Sequence, residues 1–472
     1  VLNENIQRTK YVVGDLLSSG LAWFCYNCMR YSLDPIHSGF NTLGTFLSSN
    51  VVVIGQLLFP LLMMAVYYLS GYYNEVFRKS RLQEVFTTFW STAIVTLIIF
   101  FLALINDTAP RRRVNYEMIA LLWGTLFITV YVVRCLFTSY TSHMIKSRQW
   151  SFNTLIIGRG AAGVAFGKKL DAMPQSLGYK ILGYVSIPGE NDVKEVSLPC
   201  YELSHIREAC QTHHIEELIV VPTRQNSDAV LDTVNQLFEL NLPIKVTPDH
   251  FNVMLSQVRI SDMVGDPLVD ISGSSMSESG KNIKRVLDII LSVLVLIVVS
   301  PLLLAVAIAI KLDSKGPVFY SQERVGYHNV PFNIYKFRSM VQNAEQNNRP
   351  QLTCDEDPRV TRVGRFLRKY RIDELPQFWN VIKGDMSIVG PRPERQYYID
   401  QITQRVPSYA LLHQVRPGIT SMGMVKYGYA QNVDQMIERL SYDLLYLENM
   451  SLINDFKIMV YTIKTIVTGK GM

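Results

Sequence analysis

Charge is scarce in this chain. Asp, Glu, Lys and Arg make up 18% of its 472 residues, against about 25% in an ordinary soluble protein. Hydrophobic residues reach 48% and mean hydropathy is positive, so a membrane component is expected. Cysteine is scarce too: six, at 25, 28, 135, 200, 210 and 354, none in paired metal-ligand spacing. That excludes a disulfide scaffold or zinc ribbon and suits a reducing compartment. Cys25 and Cys28 have CxxC spacing but lie in an apolar segment, which speaks against redox chemistry. There is no lysine-rich tail and no RNA-binding signature, and the net charge of +6 is spread along the chain. Nucleic acid is therefore not an expected partner, and a basic face toward phosphates or anionic lipid is. The chain opens at Val1, which reads as a start a few residues short, and no signal-peptide cleavage pattern follows the first apolar run.

Four apolar stretches fill the first 140 residues, at about 11–31, 51–70, 86–105 and 117–137. Each approaches the roughly 20 residues that cross a hydrocarbon core. An even number of spans returns the chain to its starting side. Arg8 and Lys10, then Arg78, Lys79 and Arg81, then Lys146 and Arg148 would share that side, which the positive-inside rule makes cytoplasmic; Arg111–Arg113 falls opposite and disagrees.

From about 150 short β-rich runs alternate with amphipathic helices at 160–171, 204–214 and 228–241, the pattern of a small parallel Rossmann-like α/β domain ending near 265. Gly158, Gly160 and Gly163 have GxGxxG spacing between a strand and a helix, as a dinucleotide site requires. The second strand ends at Ser186, where an acid would hold a ribose, so the motif serves either a nucleotide or architecture. "ISGSSMSESG", within 266–280, reads as a flexible linker.

Residues 289–310 form a fifth apolar run, flanked on both sides by cations: Lys281, Lys284 and Arg285 before it, Lys311 and Lys315 after. Ser300-Pro301 sits mid-run, where proline removes a helical hydrogen bond. Either a kinked fifth span or a helix that enters, breaks at Ser300-Pro301 and leaves on the same side fits this pattern.

In "FNIYKFRSM" a period of two puts Lys336 and Arg338 on one face, a grip for a diphosphate or a solvated edge strand. Arg362, Arg365 and Arg368 or Lys369 recur at helical spacing, a basic stripe suited to anionic headgroups. Asp373 and Glu374 follow it. Nearby cations are expected to lower their pKa and keep them ionised for attack or for a metal. Leu375, Phe378, Trp379 and Ile382 give the next helix an apolar face, destined for the core or a membrane interface. Pro391 and Pro393 restrict the backbone around Arg392, presenting its guanidinium to a planar anion. Asp443 lies on an apolar helical face, as a partnered structural acid or a site residue.

Together "KRVLDIILSVLVLIVVSP", "YKFRSM", "DPRVTRVGRFLRKYRIDELPQFWNVIKGDMSIVGPRP" and "RPGIT" resemble, in order, the large monotopic polyprenyl-phosphate phosphoglycosyl transferases of bacteria. The resemblance implies a membrane protein with an N-terminal four-helix transmembrane bundle (1–149), a Rossmann-like domain (150–265), a linker (266–280) and a C-terminal α+β catalytic domain (281–472) carrying a re-entrant helix-break-helix at 283–312. It implies that Asp373 attacks a UDP-sugar and passes sugar phosphate to polyprenyl (undecaprenyl) phosphate, at the start of capsule, exopolysaccharide or O-antigen synthesis. Glu374 and Asp443 would join Asp373 around Mg²⁺, and Arg368, Pro391 and Arg392 would bind substrate. The catalytic domain would face the cytoplasm from the bacterial inner membrane; a homodimer is an open expectation. "YRIDELPQ" and "GITSM" depart from the family's commoner "TSLDELPQ" and "GITGW", which leaves the donor sugar open. A membrane-bound nucleotide-sugar dehydratase or epimerase would need Tyr-x-x-x-Lys within 150–270, and Tyr179, Tyr184 and Tyr201 are not followed by it. A membrane scaffold remains a reading for the first 270 residues.

Overall fold

The computed structural model describes residues 3–33, 39–104, 112–193, 196–221, 227–247, 259–260, 268–271, 275–342 and 357–467. Arg111, Cys354 and the expected domain end at 265 lie outside them. The chain divides into two compact units, one of Val1–Phe152 with Met173–Tyr179 and Glu278–Ile283, the other of Asn153–Ala172, Lys180–Ser277 and Lys284–Met472.

Four long helices build the first unit: α1 (Glu4–Leu33), α2 (Asn50–Leu69), α3 (Arg81–Ile99) and α4 (Arg112–Lys146). The expected bundle is present, but its helices are not equal. Among the described residues, the helices long and apolar enough to cross a membrane are Asn50–Leu69, Arg81–Leu102, Tyr116–Lys146 and Glu278–Asp313; α1 is not one of them. Its polar side chains face inward instead. Gln7 donates to Thr141, Tyr11 pairs with Thr138, and Asp15 receives Arg134, so α1 and α4 run antiparallel.

Arg134 and Asp15 are fully buried and meet as a fork, Nε to Oδ1 at 2.8 Å and Nη2 to Oδ2 at 2.7 Å, while Nη1 donates to Thr88 Oγ1 at 3.0 Å. Tyr73 adds a hydroxyl to Asp15 Oδ2 at 2.9 Å, which draws the loop after α2 back into the bundle. From that loop Asn74 donates to Glu278 at 2.6 Å, and Asn282 Nδ2 donates to Tyr68 O at 2.6 Å. The polar interior thereby holds the start of the fifth apolar helix.

A seven-stranded sheet opens the second unit, in the order β3-β2-β1-β4-β5-β7-β6. Its strands are β1 (Phe152–Ile157), β2 (Tyr179–Val185), β3 (Cys200–Tyr201), β4 (Glu217–Val220), β5 (Ile244–Val246), β6 (Arg259–Ile260) and β7 (Val269–Asp270). Helices α5 (Ala161–Ala172), α6 (Ile206–Thr212) and α7 (Ser227–Leu237) alternate with them close to where periodicity places them. The order 3-2-1-4-5 is five of the six strands of the 3-2-1-4-5-6 dinucleotide-binding order, and β1, β4 and β5 pair in parallel. The sheet is not wholly parallel: β7 pairs antiparallel to β5 and carries the domain past 265. Nor is all of the linker free. Met276 is buried with Phe332 and Val381, and Ser275 bridges Leu447 O and Met450 N, so its last residues belong to the next core.

Helix α8 (Glu278–Asp313) is helical through Pro301. The expected break at Ser300-Pro301 is therefore no loss of helix. Proline deprives the Ile297 carbonyl of its N–H donor four residues on, and the Ser300 hydroxyl replaces it at 2.8 Å. Beyond α8 come the hairpin β8 (Phe319–Val325) and β9 (Pro331–Phe337), helices α9 (Arg362–Lys369) and α10 (Gln377–Lys383), the parallel pair β10 (Ser387–Val389) and β11 (Gly418–Thr420), and helices α11 (Gln396–Arg405), α12 (Val433–Glu448) and α13 (Leu452–Val467).

Removing one partner of a buried ion pair leaves a bare charge, typically at a cost of about 3–5 kcal/mol. Arg134→Met should markedly lower the thermal unfolding temperature in detergent, and adding Asp15→Leu should restore most of it. A single variant as stable as the parent would show that the pair does not hold the bundle.

Candidate functional site

Sequence places Asp373 and Glu374 side by side; the fold sends them to different surroundings. Arg371 adopts left-handed φ of +55°, a conformation that costs a side-chain-bearing residue about 1–2 kcal/mol. It turns the chain from α9 into a single 3₁₀ turn, Ile372–Glu374. With three residues per turn, neighbouring side chains diverge by about 120°.

Glu374 is enclosed by cations. Its Oε1 accepts from Lys336 Nζ at 3.0 Å and Arg392 Nη2 at 3.3 Å, and its Oε2 accepts from Arg371 Nη2 at 2.6 Å. Burial opposes its charge, but Arg371, Lys336 and Arg392 prevail and hold its carboxyl well below the usual range. Asp373 is equally buried yet, among the described residues, accepts no hydrogen bond from any side chain. Burial first, and the Glu374 charge second, push it up to about 6 against the pull of Lys336, Arg368 and Arg371. The expectation that cations lower both acids thus holds for Glu374 and fails for Asp373, because Glu374 claims the cations. Four positive groups, Lys336, Arg368, Arg371 and Arg392, stand around two carboxylates, leaving two positive charges for an anion.

Each cation has its own support. Asn380, fully buried, accepts from Tyr335 N at 3.0 Å and donates to Asn333 O at 2.7 Å, fastening α10 to β9 beside Lys336. Of the two readings left open for α10's apolar face, the core does not hold for Trp379: Gln377, Asn380 and Val381 are the buried residues of the helix, and Trp379 is 57% exposed. Arg368 donates to Ser339 Oγ at 2.9 Å. Gly364 makes that approach feasible, since a Cβ there would stand 2.0 Å from Ser339 O. Arg392 follows the crossing of β10 and β11, where a Cβ on Gly418 would meet Gly390 N at 2.1 Å, and Pro391 O accepts from Gly418 N at 2.9 Å.

Two predicted site residues are placed elsewhere. Strand β9 ends at Phe337, and Arg338 leaves the face of Lys336 to donate to Ser314 O at 2.7 Å and Ile310 O at 3.4 Å, capping α8. Asp443 accepts from Gly423 N at 2.9 Å, which makes it the partnered structural acid at the head of a short helix, Met422–Lys426. Among the described residues no three acidic, histidine or cysteine side chains group as a metal site. Of the three expected Mg²⁺ ligands, Glu374 is held by cations and Asp443 by Gly423 N, which leaves Asp373 as the carboxylate without a side-chain partner among the described residues.

Sequence reasoning missed Tyr429, whose ring faces the Arg371 and Arg392 guanidinium groups at 5.0 and 5.3 Å, and Glu394, which joins Arg324 at 3.1 Å and Arg439 at 2.7 Å behind Arg392. The acid after "PRP" was the available signal for the second.

The glycine-rich turn is tight. Gly158 has φ of +124°, and Gly163 packs so that a Cβ would meet Gly158 O at 2.0 Å. A carboxylate already lies in the cradle: Glu190 Oε1 would be 2.3 Å from a Cβ on Gly160.

Residues 279–469 match the family model described as bacterial sugar transferase. The UDP-N-acetylgalactosamine-undecaprenyl-phosphate N-acetylgalactosaminephosphotransferase of Aeromonas hydrophila is 51% identical over 189 residues, 40% of this chain and 44% of that protein. The UDP-glucose:undecaprenyl-phosphate glucose-1-phosphate transferase of Klebsiella pneumoniae is 33% identical over 71% of this chain and 74% of its own. The undecaprenyl-phosphate galactose phosphotransferase of Salmonella typhimurium is 26% identical over 99% of this chain and 98% of its own. The chain spans less than half of the first relative and about three quarters of the second.

An attacking Asp373 must be ionised, and kcat/KM reports groups of the free enzyme. It should fall as pH drops through about 6, and Glu374→Gln, which removes the second cause of the raised pKa, should move that limb lower. A limb that stays in place in Glu374→Gln would assign it to another group.

Proposed function

Because the chain belongs to the bacterial sugar transferase family, we propose that it moves a sugar 1-phosphate from a UDP-sugar to undecaprenyl phosphate and releases UMP, with Asp373 as the attacking group. One observation carries this reading: of two adjacent buried acids, one is neutralised by three cations and the other is uncommitted, with two positive charges to spare for a diphosphate. A phosphoryl-transfer site needs that pairing of a free nucleophile with cations on the equatorial oxygens.

A carboxylate oxygen of Asp373 attacks the phosphorus that bears the sugar. The bond from that phosphorus to the bridging oxygen breaks, and the electron pair leaves with UMP. An oxygen of undecaprenyl phosphate then attacks the same phosphorus, displaces the Asp373 carboxylate and gives undecaprenyl diphosphate sugar. Lys336, Arg371 and Arg392 hold Glu374 as a fixed anion, which keeps the cationic wall from collapsing onto Asp373. A magnesium ion arriving with the donor would neutralise diphosphate charge, and Asp373 is the carboxylate open to it; the steps above are those of the chain's own groups.

The acceptor's tail requires this chemistry at a bilayer, and we propose that α8 dips into it and returns. Near its start Lys284 donates to Val389 O at 3.0 Å and Arg285 to Val381 O at 2.8 Å; near its end Ser314 receives Arg338, and Asp313 accepts from Val363 N at 3.1 Å. These anchors are themselves linked through Asn380 and Tyr335. A straight helix of 36 residues would run about 54 Å, and a crossing would carry its ends to opposite faces of a core about 30 Å thick. Cations at both ends favour one cytoplasmic face at the inner membrane, where the sugar nucleotide is available. Capsule, exopolysaccharide or O-antigen assembly would follow.

UMP release from a panel of UDP-sugars with undecaprenyl phosphate tests the reaction. Asp373→Asn should lose at least about a thousandfold in kcat, as expected when a covalent nucleophile is removed, and Glu374→Gln should be severely impaired. Near-normal turnover in purified Asp373→Asn would end the assignment.

A further inference from the structure

The α/β domain has no part in the chemistry above, and Glu190 lies against Gly160 of its glycine-rich turn. Elsewhere in the second unit a different space is open. A cleft of about 640 Å³ lies between α6 and the 3₁₀ turn Phe238–Leu240 on one side, and α11 and the 3₁₀ segment Pro407–Gln414 on the other. Its size falls within the roughly 300–1,000 Å³ of small-molecule sites. The two walls are firmly joined: Ala410 lies in the same core as Val230, Val234, Leu237 and Phe238.

The lining decides what the cleft can hold. Arg207 pairs with Glu239 at 3.3 Å, and Asp400 accepts from the neutral amide of Gln396 at 2.7 Å, so the lining keeps one net negative charge and disfavours an anion. Gln211, Thr403 and His413 also line it. His413 is only 8% exposed and, among the described residues, makes no side-chain hydrogen bond. Burial pushes its imidazole down to about 4, so it is neutral near pH 7 and offers one donor and one acceptor. Its ring faces the open cleft, where water or a ligand can meet it. An acid held by an amide alone, a neutral imidazole, further amides and a hydroxyl around a wet cleft match a ligand rich in hydroxyl groups that carries no negative charge.

We infer that this cleft binds a short neutral saccharide, and that such a ligand acts on the transfer site through α11. The second clause rests on the transferase reading; the first does not. Helix α11 begins at Gln396, four residues after Arg392 and two after Glu394, and Gln396, Ile399, Asp400 and Thr403 on it line the cleft. Glu394 ties the same segment to Arg324 and Arg439. A saccharide seated against α11 therefore bears on the helix that directly follows the Arg392 segment. An enzyme that starts a saccharide chain would sense a saccharide there, apart from its donor.

Full-length protein in detergent, titrated with maltotriose, chitotriose and a galactose trisaccharide at millimolar concentration, tests this by saturation-transfer NMR and thermal shift. At least one should bind saturably and change the KM for the UDP-sugar severalfold. Thr403→Trp, which fills the cleft and lies outside the transfer machinery, should abolish binding and the KM effect while leaving basal UMP release unchanged. His413→Gln, which keeps a donor and an acceptor, should retain part of the binding. No binding by any of the three, or equal binding in Thr403→Trp, overturns the site. Binding with no change in KM overturns the coupling, and absent UMP release in the parent overturns the transferase reading while the binding result stands by itself.

Discussion

The second unit depends on one buried anion. Glu374 takes Lys336 from β9, Arg371 from the end of α9 and Arg392 from the segment after β10, so three separate elements converge on one carboxylate. Without it those cations would repel one another in a space that water barely enters. With it they form a wall of fixed charge, and the acid one residue earlier is left unpaired at the wall's edge. Burying such charges earns no stability by itself, because desolvation offsets most of the attraction. What it provides is geometry: cations already ordered before a diphosphate arrives, so that binding does not have to order them.

Other features of the unit exist to make that convergence feasible. Glycine appears where backbones must touch, at Gly364 against Ser339 and at Gly390 against Gly418. Asparagine appears where a strand edge needs a partner that no strand supplies, as Asn380 does for Asn333 and Tyr335. Helix α8 is gripped by Val381 and Val389 near its start and by Arg338 and Val363 near its end, residues of the elements that also carry the charged site. In the first unit, the Arg134 and Asp15 pair and Tyr73 shape the loop that receives the first turn of α8.

Much of this was legible in the sequence because it depends on local pattern. Apolar length gave the bundle, alternation gave the α/β domain, and cation spacing around "RIDELPQ" gave the acid pair with Lys336, Arg368 and Arg392. The failures share a cause, which is that partners distant in sequence decide what a polar residue does. Arg338 reads as a twin of Lys336 until α8 ends beside it. Asp443 reads as a third metal ligand until Gly423 claims it. Asn380 looks like a surface residue because its partners are backbone atoms of a strand more than forty residues away. Asp373 looks as well served by cations as Glu374, because nothing in "RIDE" says that a left-handed arginine will hand them all to the second acid.

The two acids differ in one testable respect: three cations hold Glu374, while Asp373, among the described residues, accepts no side-chain hydrogen bond and is the acid proposed to bond phosphorus. Incubating the protein with its UDP-sugar in the absence of acceptor, quenching in acid and mapping the peptides by mass spectrometry tests that difference directly. The account predicts a sugar-phosphate adduct on Asp373 that disappears when undecaprenyl phosphate is added. An adduct on Glu374, or UMP formed only when the acceptor is present and with no adduct on either acid, would contradict it.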